Sequence, residues 1–339
     1  MKFIIAVSLL SLAFFACQEK KDEESTAVAD ITIVADSALP SWSTEKRERI
    51  LNWVASSTDS VSKDFIPVED RISVFDNDGT LWTEQPIPNQ LQFAIDYVVS
   101  ASAQHPEWQK DPVLKGISVG DIGPLMKAGK KGLMTILSVS HFNIPELVFK
   151  SNVQQWLDTA KDKKFHQRYL DLVYQPMLEL LDYLRKNQFK TFIVSGGGAD
   201  FMRAWVEKVY GIPPYQVIGS YGEATFTLKD SVPVITKVSG DVYLDDKEAK
   251  PVAIHRFIGK VPVLCGGNSD GDLAMMQYTA GSKYKSLNIL LHHTDDTREF
   301  QYDLKTLSGH LEKALTEANQ RNWLVVDMKN DFKKIFPFQ

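Results

Sequence analysis

RISVFDNDGTLW, residues 71–82, decides the fold. Ile72, Val74 and Phe75 read as the end of a strand buried in a core. Asp76 and Asp78 follow two positions apart, and Gly79-Thr80 comes next. Charge at the tip of a core strand is expensive. It is tolerable where the acids hold a hard cation and meet an electrophile. The bland alternative is an Asx-rich turn after a strand, and the rest of the chain decides between the two.

Downstream, strand and helix patterns alternate. Pro176–Lys186 reads as a helix, with Pro176 suited to its first turn and Met177, Leu180, Leu181 and Leu184 on one face. FKTFIVSGGG (189–198) reads as a strand ending in glycines, and ADFMRAWVEKVYG (199–211) as a helix stopped by Gly211. YQVIGS (215–220) is a short strand, and EATFTLKDSVPVITK (223–237) a hairpin with Lys229-Asp230 near its tip. A helix over 249–259, a strand over 261–267, a helix over 270–279 and a strand over 286–293 follow. Upstream, Ser43–Ser56 fits a helix capped by Ser43, with Glu45 in its first turn and Ile50, Trp53 and Val54 on its inner face. Several strands are apolar on both faces, which predicts an α/β fold with a parallel sheet covered by helices on both sides. Residues 83–175 are mainly helical and too long for one connection, so they read as an inserted cap.

In open α/β sheets, ligands bind beyond the carboxyl ends of the strands. The polar residues just after each strand therefore belong at one rim. They are Asp76, Asn77, Asp78 and Thr80; Ser195, Gly196 and Gly197; and Asn268, Ser269, Asp270 and Asp272.

These segments resemble the haloacid dehalogenase superfamily. FDNDGTLW is similar to its motif I, IVSGGG to motif II and CGGNSDGDLAMM to motif IV, while Lys250 in EAKPVAIHRF fits the motif III lysine. The branch most similar is that of the phosphoserine and phosphorylcholine phosphatases. The resemblance implies a three-layer Rossmann-like core over 41–82 and 176–339, with a C1-type helical cap over 83–175. It implies Asp76 as nucleophile and Asp78 as general acid, then base. Thr80, Ser195, Gly196 and Lys250 would hold phosphate oxygens. Mg²⁺ would bind Asp76, the Asp78 backbone carbonyl and motif IV. Motif IV here begins Gly267-Asn268 where that branch has Gly-Asp, so Asp270 is favoured as the metal ligand, with Asn268 and Asp272 as further candidates. Glu84 is a candidate reader of a substrate amine, or else a surface acid at a helix start.

The implied activity is Mg²⁺-dependent hydrolysis of a small phosphomonoester, such as a phosphoserine-, phosphocholine- or phosphoethanolamine-like compound. The alternatives are a phosphotransferase using the same aspartyl phosphate and a non-catalytic phospho-ligand binding lipoprotein. Asp78 disfavours a dehalogenase. Trp82, Trp108 and Trp156 read as core of the cap rather than a cationic-ligand cage. His292-His293 reads as the start of a polar loop, because adjacent strand residues point to opposite faces.

Residues 1–17 are a separate object. Lys2 precedes Phe3–Ala16, a stretch without a charge and shorter than the about 20 residues a membrane span needs. Phe14-Phe15-Ala16-Cys17 resembles a bacterial lipoprotein cleavage box, which implies lipidation of Cys17 and an exported, periplasmic or outer-membrane-anchored protein; a plain secretory signal is the alternative. The second of the two cysteines, Cys265, lies in an apolar run and reads as core, so a disulfide is a poor explanation for Cys17. Residues 18–40 read as a tether. The 339-residue chain carries a formal charge of −5, which does not favour nucleic acid as a partner. Contact with a membrane is expected only through the N-terminal lipid.

Overall fold

All four residues of β1 (Ile72–Phe75) are buried, because strands pair with it on both edges and helices cover both faces. A computed structural model describes residues 38–339 of the chain. The expected leader, Cys17 and residues 18–37 of the expected tether lie outside the described residues. The eight-stranded sheet runs β2 (Ile144–Pro145), β5 (Val232–Tyr243), β4 (Val217–Lys229), β3 (Lys190–Gly198), β1, β6 (Leu264–Gly267), β7 (Leu287–His292), β8 (Leu324–Asp327). From β4 through β8 every pairing is parallel. The β4–β5 and β5–β2 pairings are antiparallel.

Helix α1 (Thr44–Thr58) precedes the sheet. Between β1 and β3 lie α2 (Asn89–Ala101), α3 (Pro112–Ser118), α4 (Gly123–Ala128), α5 (Lys130–Ser140), α6 (Glu146–Thr159) and α7 (Gln175–Lys186). After β3 come α8 (Ala199–Arg203), α9 (Val206–Tyr210), α10 (Ala249–Phe257), α11 (Leu273–Ala280), α12 (Lys313–Gln320) and α13 (Met328–Asp331). Helix α7 starts with Pro176 in its first turn and buries Met177, Leu180, Leu181 and Leu184, each contributing about 1.5–3 kcal/mol of burial. The helical insertion has a core of its own, in which Ala94, Val98, Leu114, Ile117, Leu125 and Ile136 meet. Insertion and sheet nevertheless belong to one compact unit, Leu39–Gln339. Among the described residues no helix is long and apolar enough to cross a membrane.

Three local expectations are corrected. Ser43 does not cap α1 with its side chain; its hydroxyl donates to Asp331 Oδ1 at 2.9 Å and ties the helix to α13 instead. The helix expected over 199–211 is broken into α8 and α9. Trp205 sits at the break, its indole 4.5 Å from that of Trp82 and 5.1 Å from the Tyr210 ring, measured between centroids. The strand at 217–220 and the first hairpin arm are one continuous β4. The hairpin tip falls one residue later than expected, at Asp230-Ser231, whose φ values of 51° and 68° make a left-handed two-residue turn.

The three tryptophans form no cage. Trp82 Nε1 donates to the Tyr169 carbonyl at 2.6 Å and Trp156 Nε1 to Asp96 Oδ2 at 2.7 Å. Trp108 stacks on His105 in the insertion core. Cys265 is fully buried in the central core.

Candidate active site

The carboxyl ends of β1, β3 and β6 deliver their polar residues to one rim. Asp76 is still in register with β6, its amide donating to the Gly266 carbonyl at 3.0 Å. The residue is 6% exposed. Lys250, from the first turn of α10, reaches Asp76 Oδ1 at 2.7 Å and Asp272 Oδ1 at 2.6 Å. The Thr80 hydroxyl lies 3.1 Å from Asn268 Oδ1 and 3.4 Å from Asp76 Oδ2. Ser195 ends the regular part of β3 and accepts from the Gly197 amide at 3.0 Å. A side chain at Gly197 would start 3.3 Å from Ser195 Oγ and 3.4 Å from Asp78 Oδ2. Asp78 and Ser195 therefore border the same small space, which glycine leaves open. The Gly196 carbonyl is taken by the Ser220 hydroxyl at 2.7 Å.

Burial first, then the charge of Glu84, pushes the Asp78 carboxyl up to about 7, against the Asn77 amide that lowers it. Its surroundings thus favour the protonated form of Asp78 relative to an exposed carboxyl. Burial and Asp272 push Asp76 up as well, and Lys250 opposes them. Burial pulls the Lys250 ammonium down, but Asp272 and Asp76 outweigh it and hold Lys250 above the ordinary lysine range.

The motif IV candidates separate. Asp270 is not brought to Asp76: its Oδ1 accepts from the amides of Ala314 at 2.8 Å and Glu312 at 3.1 Å, and its Oδ2 lies 3.3 Å from His310 Nδ1. It anchors the start of α12, and those amides hold its carboxyl below the usual range despite burial. Asp272 stands just before α11 and turns back, accepting with Oδ2 from the amides of Asn268 at 3.0 Å and Ser269 at 3.1 Å. Asn268 shares the Thr80 hydroxyl with Asp76, while Asp272 shares Lys250 with it. The Asp270 carboxylate is thus directed to the start of α12, and the Asn268 carboxamide toward Asp76.

The set fits a hard divalent cation. Asp76 Oδ2 and Asn268 Oδ1 share one hydroxyl, Thr80, which has a single hydrogen to give. Acids also outnumber bases here, with Lys250 set against Asp76, Asp272 and, once ionised, Asp78. Oxygen donors with surplus negative charge suit Mg²⁺. Among the described residues no group of three or more His, Cys, Asp or Glu forms a metal cluster; the side chains that converge are a carboxylate and a carboxamide.

Glu84 is not a surface acid. It is 3% exposed and its Oε1 accepts from Asn268 Nδ2 at 2.7 Å and Tyr302 OH at 2.8 Å. His293 lies in the loop after β7, as expected, but the loop turns it inward. It is buried with Nε2 2.8 Å from the Gly79 carbonyl and Nδ1 3.1 Å from Glu299 Oε2.

Gln90 and His141, from the helical insertion, were invisible in the sequence because single polar residues on amphipathic helices carry no pattern. Gln90 Oε1 accepts from the Gly198 amide at 2.8 Å, so its Nε2 donates to His141 Nε2 at 2.9 Å. His141 is therefore the neutral Nδ1–H tautomer, facing Ser140 Oγ at 2.7 Å. Burial and then Lys237 push its pKa from 6.5 down to about 3. Between those values the unfolded chain binds a proton that the folded chain does not, so stability falls as pH falls. The expected slope from this residue is about 1.4 kcal/mol per pH unit. Urea unfolding at pH 7 and pH 5 should show this loss in the native protein and a smaller one in His141→Gln; equal losses in the two proteins contradict the assignment.

A parallel sheet with an acid at the tip of its central strand, a buried lysine bridging two acids and a helical insertion after that strand define a class of α/β hydrolytic enzyme. The chain belongs to the haloacid dehalogenase-like hydrolase family, whose model matches residues 73–277. No curated protein matches it in sequence. Among solved structures it is similar to a conserved protein of unknown function from Anaerococcus prevotii, at 14% identity and TM-score 0.49 over 83% of this chain and 90% of that one. A Bordetella pertussis protein of unknown function aligns at 14% identity and TM-score 0.45, over 76% and 98% of the two chains. A phosphoserine phosphohydrolase-like protein from Francisella tularensis aligns at 16% identity and TM-score 0.35, over 74% and 99%.

Proposed function

We propose that the protein is a Mg²⁺-dependent phosphomonoester hydrolase in which Asp76 is the phosphoryl acceptor. The single observation that carries this reading is the pair Asp76 and Asp78. One is fixed by Lys250 at 2.7 Å; the other is held near pH 7 by its surroundings. Two carboxyls two residues apart with different tasks are what covalent phosphoryl transfer with acid assistance requires.

Asp76 attacks phosphorus, and the ester oxygen leaves with the proton of Asp78. Asp78, now ionised, takes a proton from the water that hydrolyses the aspartyl phosphate. Lys250 balances charge on Asp76 and on the phosphoryl group as a point charge. Thr80, Ser195 and the Gly196 amide orient phosphoryl oxygens. Asp76, Asn268 and the Asp78 carbonyl would hold Mg²⁺, which supplies charge neutralisation to the phosphoryl oxygens when bound. The helical insertion acts as a cap that excludes bulk water and selects a small phosphorylated metabolite. Residues 1–17 and Cys17 are proposed to export the protein and anchor it by a lipid.

The test is a screen of small phosphomonoesters with native protein and Asp78→Asn, with and without EDTA. Turnover should vanish in EDTA and return with Mg²⁺. Asp78→Asn should lower kcat by roughly 10² to 10⁴, the usual size of a general acid–base contribution. Undiminished turnover in EDTA removes the metal; undiminished turnover in Asp78→Asn removes the acid.

A further inference from the structure

Resting on the reading of Asn268 as a metal ligand, we propose that Glu84 is a positioning residue: it orients Asn268 from behind and supplies the negative charge that the residue at 268 lacks. The functional residue at 268 is then an amide because Glu84 is there.

The geometry is specific. Asn268 Nδ2 donates to Glu84 Oε1 at 2.7 Å. A carboxylate accepts only, so the carboxamide has one orientation, with Oδ1 toward Thr80 and Asp76. Tyr302 donates to the same Glu84 oxygen at 2.8 Å and holds it in place. The turn after Asp78 is shaped around this contact. A side chain at Gly79, where φ is +82°, would start 2.0 Å from Asn268 Nδ2 and 2.3 Å from Glu84 Oε1. Asn268 is 1% and Glu84 3% exposed, so water does not weaken the pairing. A buried carboxylate that polarises a ligand's amide raises the electron density on the ligating oxygen, as partners behind metal ligands commonly do.

An unusual consequence follows for Asn268→Asp, which places a carboxylate at the metal. In this chain it also sets two buried carboxylates 2.7 Å apart on the Asn268–Glu84 axis. The test is Mg²⁺ affinity by calorimetry, without substrate, on the full chain. Glu84→Gln should weaken Mg²⁺ binding by about 10- to 100-fold. Asn268→Asp should also bind more weakly than the native protein. The double variant Asn268→Asp with Glu84→Gln, which reverses the amide and the acid, should recover affinity relative to either single variant. Thermal melting establishes which variants fold; if Asn268→Asp does not, Glu84→Gln decides alone. Native protein that binds Mg²⁺ while Asn268→Asp binds it equally well, or Glu84→Gln with unchanged affinity, overturns this proposal and leaves the metal reading intact. Native protein that takes no Mg²⁺ overturns both.

Discussion

Asp76→Asn is expected to lower kcat on any accepted phosphomonoester by roughly 10⁴ to 10⁶, the scale of losing a covalent nucleophile. The protein should stay folded. Asparagine fills the same volume, and Lys250 keeps its 2.6 Å contact with Asp272. A thermal melt and steady-state kinetics on one preparation separate the two effects. A variant that retains kcat within tenfold of the native protein while folded contradicts the nucleophile assignment. A variant that does not fold would show instead that Asp76 and Lys250 form a structural pair first.

Lys250→Met is expected to be as damaging to activity and far more damaging to stability. The side chains of Lys250, Asp76 and Asp272 are 3%, 9% and 1% exposed, so solvent does not screen the trio. Removing the one cation leaves two acids in contact with nothing between them. Breaking a buried ion pair from one side typically costs about 3–5 kcal/mol. The loss should shrink at low pH. Burial, and for Asp76 the neighbouring Asp272, already push that carboxyl up. An acid raised in the folded state loses stability as pH rises through its unfolded value and regains it as pH falls. Urea midpoints at pH 8 and pH 5 check this: the gap between native and Lys250→Met should be wider at pH 8. Lys250→Arg should not rescue activity, because a planar guanidinium cannot make two head-on contacts in the space of one ammonium. A gap under 1 kcal/mol at pH 8 contradicts a charge-balancing role.

How much of this was legible depends on what kind of contact holds each residue. The apolar runs ending in Phe75, Val194 and Cys265 specify buried strands, the first two followed at once by polar residues and the third after Gly266-Gly267, so the rim could be read from the chain. Lys250 was legible through its motif, and α10 carries it to Asp76. Within residues 268–272 the sequence offers three oxygen-bearing candidates and no way to tell which turns inward. Asp272 folds back on the amides of Asn268 and Ser269 because it stands at the start of α11. Asp270 is captured by amides at 312 and 314, a long-range contact that no local pattern announces. Glu84 and His293 lie far apart in sequence, yet each closes on the turn around Gly79. The break at Trp205 is likewise tertiary: indole packing against Trp82 overrides a helical pattern that is locally sound. Strand β8, four residues on the sheet edge beyond His293, is too short for periodicity to mark.

The most direct measurement is chemical trapping. The native protein is mixed with Mg²⁺ and a chromogenic phosphomonoester, quenched in acid during turnover, digested and mapped by mass spectrometry. The peptide containing Asp76 should carry one phosphoryl group, lose it to hydroxylamine as an acyl phosphate does, and be unmodified in Asp76→Asn. A phosphoryl group on another residue, or brisk turnover with Asp76 never modified, would mean that phosphorus does not pass through this carboxylate.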